Sequence, residues 1–68
     1  DTTTWQMILC GVASYNWDIA KMLIEKQFIG KRTPDLYVLE YLLKCAVEEN
    51  DRQWVYKLLE LIDEFGYQ

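Results

Sequence analysis

The chain has 68 residues, 51% of them apolar and 15% aromatic, so it is too hydrophobic for a disordered segment and too short for more than one small domain. Eleven acidic and seven basic residues give a net charge of −4, which disfavours non-specific binding to a phosphate backbone. The sequence has no histidine and only two cysteines, so it lacks the commonest general base and the ligands of a structural zinc site. These counts favour a non-catalytic protein with no metal and no cofactor.

Two helices are predicted in the first half of the chain, over roughly residues 3–14 and 17–29. Threonines precede the first helix, Asn16 is a suitable N-cap for the second, and Gly30 is predicted to end it. The apolar residues of the first helix are Trp5, Ile8, Leu9, Val12 and Ala13. Those of the second are Ile19, Ala20, Leu23, Ile24 and Phe28.

Two more helices are predicted in the second half, over roughly residues 34–48 and 51–65. Thr33 is a suitable N-cap for the third helix, and Pro34 suits its first position because no N–H is needed there. Asn50 and Gln53 resemble a capping box for the fourth helix, and Gly66 supplies a left-handed stop. The apolar stripes are Leu36, Leu39, Leu42, Leu43, Ala46 and Val47, then Trp54, Val55, Leu58, Leu59, Leu61, Ile62 and Phe65.

All predicted connections are short, so sequential helices should pack antiparallel as hairpins. No segment shows the alternation of a strand, and the predicted fold class is therefore all-α. No apolar run approaches the roughly 18 residues of a membrane span, so no membrane partner is predicted. The sequence does not begin with methionine, and we expect it to be a piece of a longer chain.

The two halves match one another when the sequence is offset by 35 residues. This offset aligns Cys10 with Cys45. It also aligns Asn16 with Asp51, and asparagine and aspartate are both suitable helix N-caps. The other identical pairs are Val12 with Val47, Leu23 with Leu58, and Glu25 with Glu60. The offset predicts two copies of one hairpin, residues 2–35 and 34–68, stacked side by side as a segment of an α-solenoid.

A repeat of this length, built from paired helices, resembles the pentatricopeptide repeat. The residues that carry the resemblance are Pro34-Asp35 at the junction, the polar turn Asn50-Asp51, Val55 where the family usually has alanine, and Gly66 near the end. The tetratricopeptide repeat is a second resemblance, since its hairpin has a similar length. The first resemblance implies a role in organellar RNA metabolism or translation, in a mitochondrion or another organelle, and single-stranded RNA as a possible ligand.

The pentatricopeptide resemblance also implies which residues would face RNA. In each repeat a polar residue of the first helix reads a base together with the residue that closes the motif, which gives Gln6 with Leu36, and Tyr41 with a residue beyond the end. Leu36 cannot hydrogen-bond a base, so the usual pair of a small polar residue with Asp or Asn is missing. If the parent protein binds RNA directly, Lys31, Arg32 and Lys44 would contact the RNA backbone. The candidate RNA-facing residues are then Gln6, Lys31, Arg32, Leu36, Tyr41 and Lys44.

Protein contact is therefore the preferred prediction, as a scaffold within a ribonucleoprotein assembly. Two repeats are fewer than the roughly three that such arrays need, so further repeats or a protein partner should cover the outer helices. The predicted interface residues are Trp5, Trp17, Tyr37, Trp54, Tyr56 and Phe65. Acidic residues of the second hairpin are suited to a basic partner, such as a ribosomal protein, although a solvated helix surface is the plainer interpretation of them. A peptide-binding adaptor of tetratricopeptide type remains a further alternative.

The two cysteines are predicted to be reduced, buried thiols in a reducing intracellular compartment. In stacked hairpins Cys10 and Cys45 would occupy equivalent helices, whose axes lie about 8–10 Å apart. A disulfide needs Cα atoms within about 7 Å, which disfavours a bridge.

Overall fold

The computed structural model describes residues 2–27 and 34–64. These residues form four α-helices, α1 (Thr2–Tyr15), α2 (Trp17–Gln27), α3 (Leu36–Glu48) and α4 (Arg52–Glu64). No strand occurs within the two described ranges, so the predicted all-α fold is confirmed. The predictions made for Phe28, Gly30, Thr33, Phe65 and Gly66 lie outside the described residues.

The chain divides into two compact units, Asp1–Pro34 and Asp35–Gln68. In the first unit α1 packs on α2, and in the second α3 packs on α4, each pair as a helical hairpin. One short turn joins the two helices of each unit, so the geometry of that turn determines which faces of the two helices pack together.

Asn16 alone connects α1 to α2. Its backbone N–H donates to the Val12 carbonyl over 2.6 Å, and its Oδ1 accepts from the Ile19 N–H at 3.2 Å. The side chain thereby satisfies one of the N–H groups that the first turn of a helix leaves without an intrahelical acceptor. The prediction that Asn16 caps α2 is confirmed.

The turn between α3 and α4 has three residues and a Schellman motif. Asn50 adopts a left-handed conformation, with φ 57°, and its N–H donates to the Val47 carbonyl at 3.0 Å. The Asp51 N–H reaches the Ala46 carbonyl at 2.9 Å, and its Oδ1 accepts from the Trp54 N–H at 3.3 Å. The prediction that Asn50 caps α4 is wrong: Asn50 ends α3, because asparagine tolerates positive φ, and Asp51 is the cap.

The start of α3 also differs from the prediction. Pro34 precedes the helix, and Asp35 is the N-cap residue, with φ −69° and ψ 144°. The Asp35 carbonyl accepts from Val38 N–H at 3.0 Å and from Leu39 N–H at 3.3 Å, which begins the helical hydrogen-bond pattern. Pro34 lies two positions before the first helical residue, Leu36. It is buried, so it contributes to packing before α3 begins.

Each unit has its own set of buried residues. In the first unit the buried residues on α1 and α2 are Gln6, Leu9, Ala13, Trp17, Ala20 and Ile24. In the second unit the buried helical residues are Val38, Leu39, Leu42, Cys45, Ala46, Trp54, Leu58 and Leu61. Four apolar residues that the sequence assigned to core stripes have exposed side chains instead, Ile8, Ile19, Val47 and Leu59.

The 35-residue offset aligns the two caps and does not align the two cores. Asn16 and Asp51 each accept a hydrogen bond from the N–H three residues later. In contrast, Ile19 is 48% exposed where its counterpart Trp54 is 7% exposed, and Ile24 is fully buried where Leu59 is 46% exposed. The connections explain the difference, because α1 and α2 are joined by one residue, and α3 and α4 by three. The pentatricopeptide resemblance itself stays a prediction.

Candidate protein-interaction surfaces

The three tryptophans belong mainly to the interior. Trp17 and Trp54 are 6% and 7% exposed, and Trp5 is half-buried. Lys57 Nζ lies 4.7 Å from the centroid of the Trp54 ring, a cation–π contact. A partner can cover only what the chain leaves exposed, so Trp17 and Trp54 are core residues here rather than the interface residues predicted from the sequence.

The predicted interface tyrosines are on the surface. Tyr37 on α3 is 61% exposed and Tyr56 on α4 is 68% exposed. Phe65 lies outside the described residues. Tyr37 and Tyr56 therefore keep their assignment as candidate interface residues.

The residues implied to face RNA do not form one exposed set. Gln6 is 2% exposed, so its amide faces the protein interior and cannot reach a base. Leu36 and Tyr41 are half-buried, whereas Lys44 is exposed. Lys31 and Arg32 lie outside the described residues. The assignment of Gln6 is corrected accordingly.

Both cysteines are free thiols, Cys45 buried and Cys10 half-buried. Burial raises the pKa of Cys45 by disfavouring the thiolate, and a hydrogen bond with the Tyr41 side chain opposes that effect in part. At neutral pH Cys45 is therefore an unreactive thiol of the core.

An apolar surface on the first unit was not identified from the sequence. It comprises Met7, Ile8, Gly11 and Tyr15, which lie on one side of α1, and we call it the α1 surface. Its three large side chains are 69%, 56% and 95% exposed, respectively. An open groove of about 500 Å³ follows it, lined by Ile8, Gly11, Val12, Tyr15, Asn16 and Ile19. One signal could have revealed the α1 surface: α1 contains no charged residue to mark a side that faces water.

A second surface, on α4, combines apolar and acidic side chains. Tyr56, Leu59, Glu60 and Asp63 are all exposed, and their spacings of three, four and seven place them on the side of α4 opposite its core residues. We call these four residues the α4 surface. A smaller pocket of about 260 Å³ extends from Tyr56 to the Asn50-Asp51 turn.

The charge of the chain is unevenly distributed. Residues 1–34 contain three acidic and four basic side chains, a net charge of +1, whereas residues 35–68 contain eight acidic and three basic ones, a net charge of −5. Within the first unit Asp18 pairs with Lys21 at 3.4 Å. The electrostatic field that a partner meets at the second unit is therefore negative.

Comparisons of this chain with protein-family models, with curated proteins and with solved structures gave no match. Among the described helices, none has the length and hydropathy needed to span a membrane. Within the same residues no three metal-ligating side chains are grouped.

Proposed function

We propose that this chain is a non-catalytic helical scaffold whose second unit binds a basic segment of another protein. The observation that carries the proposal is the α4 surface. Tyr56 and Leu59 are exposed apolar groups on the same side of a helix as two carboxylates, in a unit with a net charge of −5. An amphipathic helix with basic flanks complements this combination in both hydrophobicity and charge.

The setting implied by the pentatricopeptide resemblance, an organellar ribonucleoprotein assembly, belongs to the same proposal. Such assemblies contain many basic proteins, which a negatively charged unit attracts. Direct binding of single-stranded RNA has less support, because the second unit repels phosphate and Gln6 is buried.

The test is a fluorescence-anisotropy titration with a labelled basic amphipathic helical peptide at low and high salt. Glu60→Lys should weaken binding about tenfold, because it reverses one charge beside the apolar contact. Glu25→Lys is the matched control, since it makes the same change at an exposed position of α2. We expect it to change the affinity by less than about threefold, because Glu25 is not part of the α4 surface and salt screens an exposed charge that makes no contact with the peptide.

Tyr56→Ala should also weaken peptide binding, and this loss should persist at high salt because it removes apolar contact. A labelled single-stranded RNA of about 20 nucleotides is titrated in parallel, and the proposal expects no binding to it. Equal losses for Glu60→Lys and Glu25→Lys, or binding of the RNA without binding of the peptide, would overturn the proposal.

A further inference from the structure

Apolar side chains lie on two opposite sides of α1. Leu9 and Ala13 are buried on one side, while Met7, Ile8 and Tyr15 are exposed on the other. No residue of this helix carries a charge. Large exposed apolar patches mark interaction sites. The α1 surface is thus a contact surface whose occupant must be apolar.

Gly11 lies in the middle of the α1 surface. A Cβ atom added there would meet no other atom within 4 Å, so packing inside this chain does not require glycine at this position. In a helix interior glycine is less favourable than alanine, because it loses more conformational freedom on folding. At an exposed site glycine allows a second backbone to approach closely. Ile8 and Tyr15 line the groove on either side of Gly11.

Charge distinguishes among the possible occupants. The residues that line the groove are uncharged, so a charged segment would lose hydration there without gaining an ion pair. Among the four described helices α1 is the one without a charged residue. A second α1 therefore matches the groove in charge and in apolar character, and it presents the same glycine.

We infer that this chain forms a homodimer in which the α1 surfaces of two copies pack against each other, antiparallel, with Gly11 near the two-fold axis. A two-fold contact uses the same patch on both copies, and an antiparallel crossing at Gly11 brings Tyr15 of one copy against Met7 and Ile8 of the other. One helix face is smaller than the roughly 800 Å² per partner of a standard interface, so we expect a dissociation constant of about 1–100 μM.

The test is sedimentation equilibrium of the whole chain across that concentration range. We expect a monomer–dimer equilibrium that is unchanged or strengthened by salt, because the contact carries no charge. Tyr15→Glu should abolish the dimer while the helical circular dichroism is retained, since Tyr15 is 95% exposed. Val47→Glu also introduces a carboxylate at an exposed apolar residue, on α3, and should leave the dimer intact.

Gly11→Ala should change the stability of the monomer and the affinity of the dimer in opposite directions. It should raise the midpoint of urea unfolding of the monomer, because alanine favours helix, and weaken dimerisation at least threefold by keeping the backbones apart. A chain that is monomeric throughout the range, or a dimer equally sensitive to Tyr15→Glu and Val47→Glu, would overturn the inference. These results are independent of peptide binding by the α4 surface.

Discussion

Single residues at the α3–α4 turn determine how the second hairpin closes. Asn50 has φ 57°, a conformation that costs most L-residues about 1–2 kcal/mol. Its hydrogen bond and that of Asp51 satisfy carbonyls that the end of α3 would otherwise leave without partners. The stability of the turn therefore depends on these backbone hydrogen bonds and on a residue at position 50 that tolerates positive φ.

The effect of replacing Asn50 on the free energy of unfolding should depend on the substituent. Asn50→Ala should lower the free energy of unfolding by about 1 kcal/mol, because a Cβ without a compensating polar group is disfavoured at positive φ, whereas Asn50→Gly should be neutral or stabilising. Urea denaturation followed by circular dichroism measures both. Glu49→Ala, at the preceding residue in an ordinary helical conformation, is the control. Equal losses for alanine and glycine would contradict the assigned backbone conformation.

Removal of the Asp51 side chain should also destabilise the second hairpin. Asp51→Ala deletes the acceptor of the Trp54 N–H and should cost about 0.5–2 kcal/mol of unfolding free energy. Asp51→Asn keeps an acceptor and should retain most of the stability. If Asp51→Asn is as unstable as Asp51→Ala, the side chain contributes through its charge and not through the cap.

The pKa of the Cys45 thiol leads to a prediction about pH. Burial raises this pKa, so the folded state favours the neutral thiol. The resulting stability is fully present below the ordinary thiol pKa of about 8.5 and is lost as the pH rises through the raised value. At pH 8 an alkylating reagent should modify half-buried Cys10 faster than Cys45, and urea should remove the difference. Mass spectrometry of the peptides measures both rates, and equal rates in native buffer would contradict the burial of Cys45.

At the scale of helices, adjacent leucines on α4 have different roles. Leu58 is fully buried and Leu59 is 46% exposed. Leu58→Ala should therefore cost about 2–5 kcal/mol, enough to unfold a domain of this size, whereas Leu59→Ala should cost about 1 kcal/mol or less. Thermal unfolding of the two variants compares them directly. A greater loss for Leu59→Ala would mean that the rotation of α4 about its axis is wrong.

The helices could be predicted from the sequence because their spacing and caps are local signals. Asn16 sits directly before a helix and carries a side-chain acceptor, so its role needed no knowledge of tertiary contacts. The rotation of each helix about its axis was harder to predict. Apolar side chains lie on two opposite sides of α1, so nothing in the pattern shows that Leu9 faces inward and Ile8 outward.

The candidate surfaces were predictable only in part, for the same reason. Aromatic type indicated interface residues, yet tryptophan also fills cores, and burial separates Trp54 from Tyr56 although both are on α4. Gln6 was assigned by its position in a repeat. The structure places the polar side chain of Gln6 in the interior instead. This burial could not be predicted, because polar residue types are normally exposed.

For the whole molecule, the main property is the contrast between its units. The first unit presents an uncharged apolar surface on α1, and the second presents an acidic one on α4. Salt should separate their interactions, because ionic attraction is screened and apolar contact is not. One chain thereby has two chemically distinct exposed surfaces, which is consistent with the scaffold function that we propose.

The most direct test of the scaffold account is a map of backbone amide chemical shifts while a basic amphipathic helical peptide is titrated into the chain. The account predicts that the largest shifts fall on α4 from Tyr56 to Asp63, and that they require about tenfold more peptide for Glu60→Lys but not for Glu25→Lys. Shifts confined to residues 2–27, or none at a peptide concentration of about 1 mM, would contradict it.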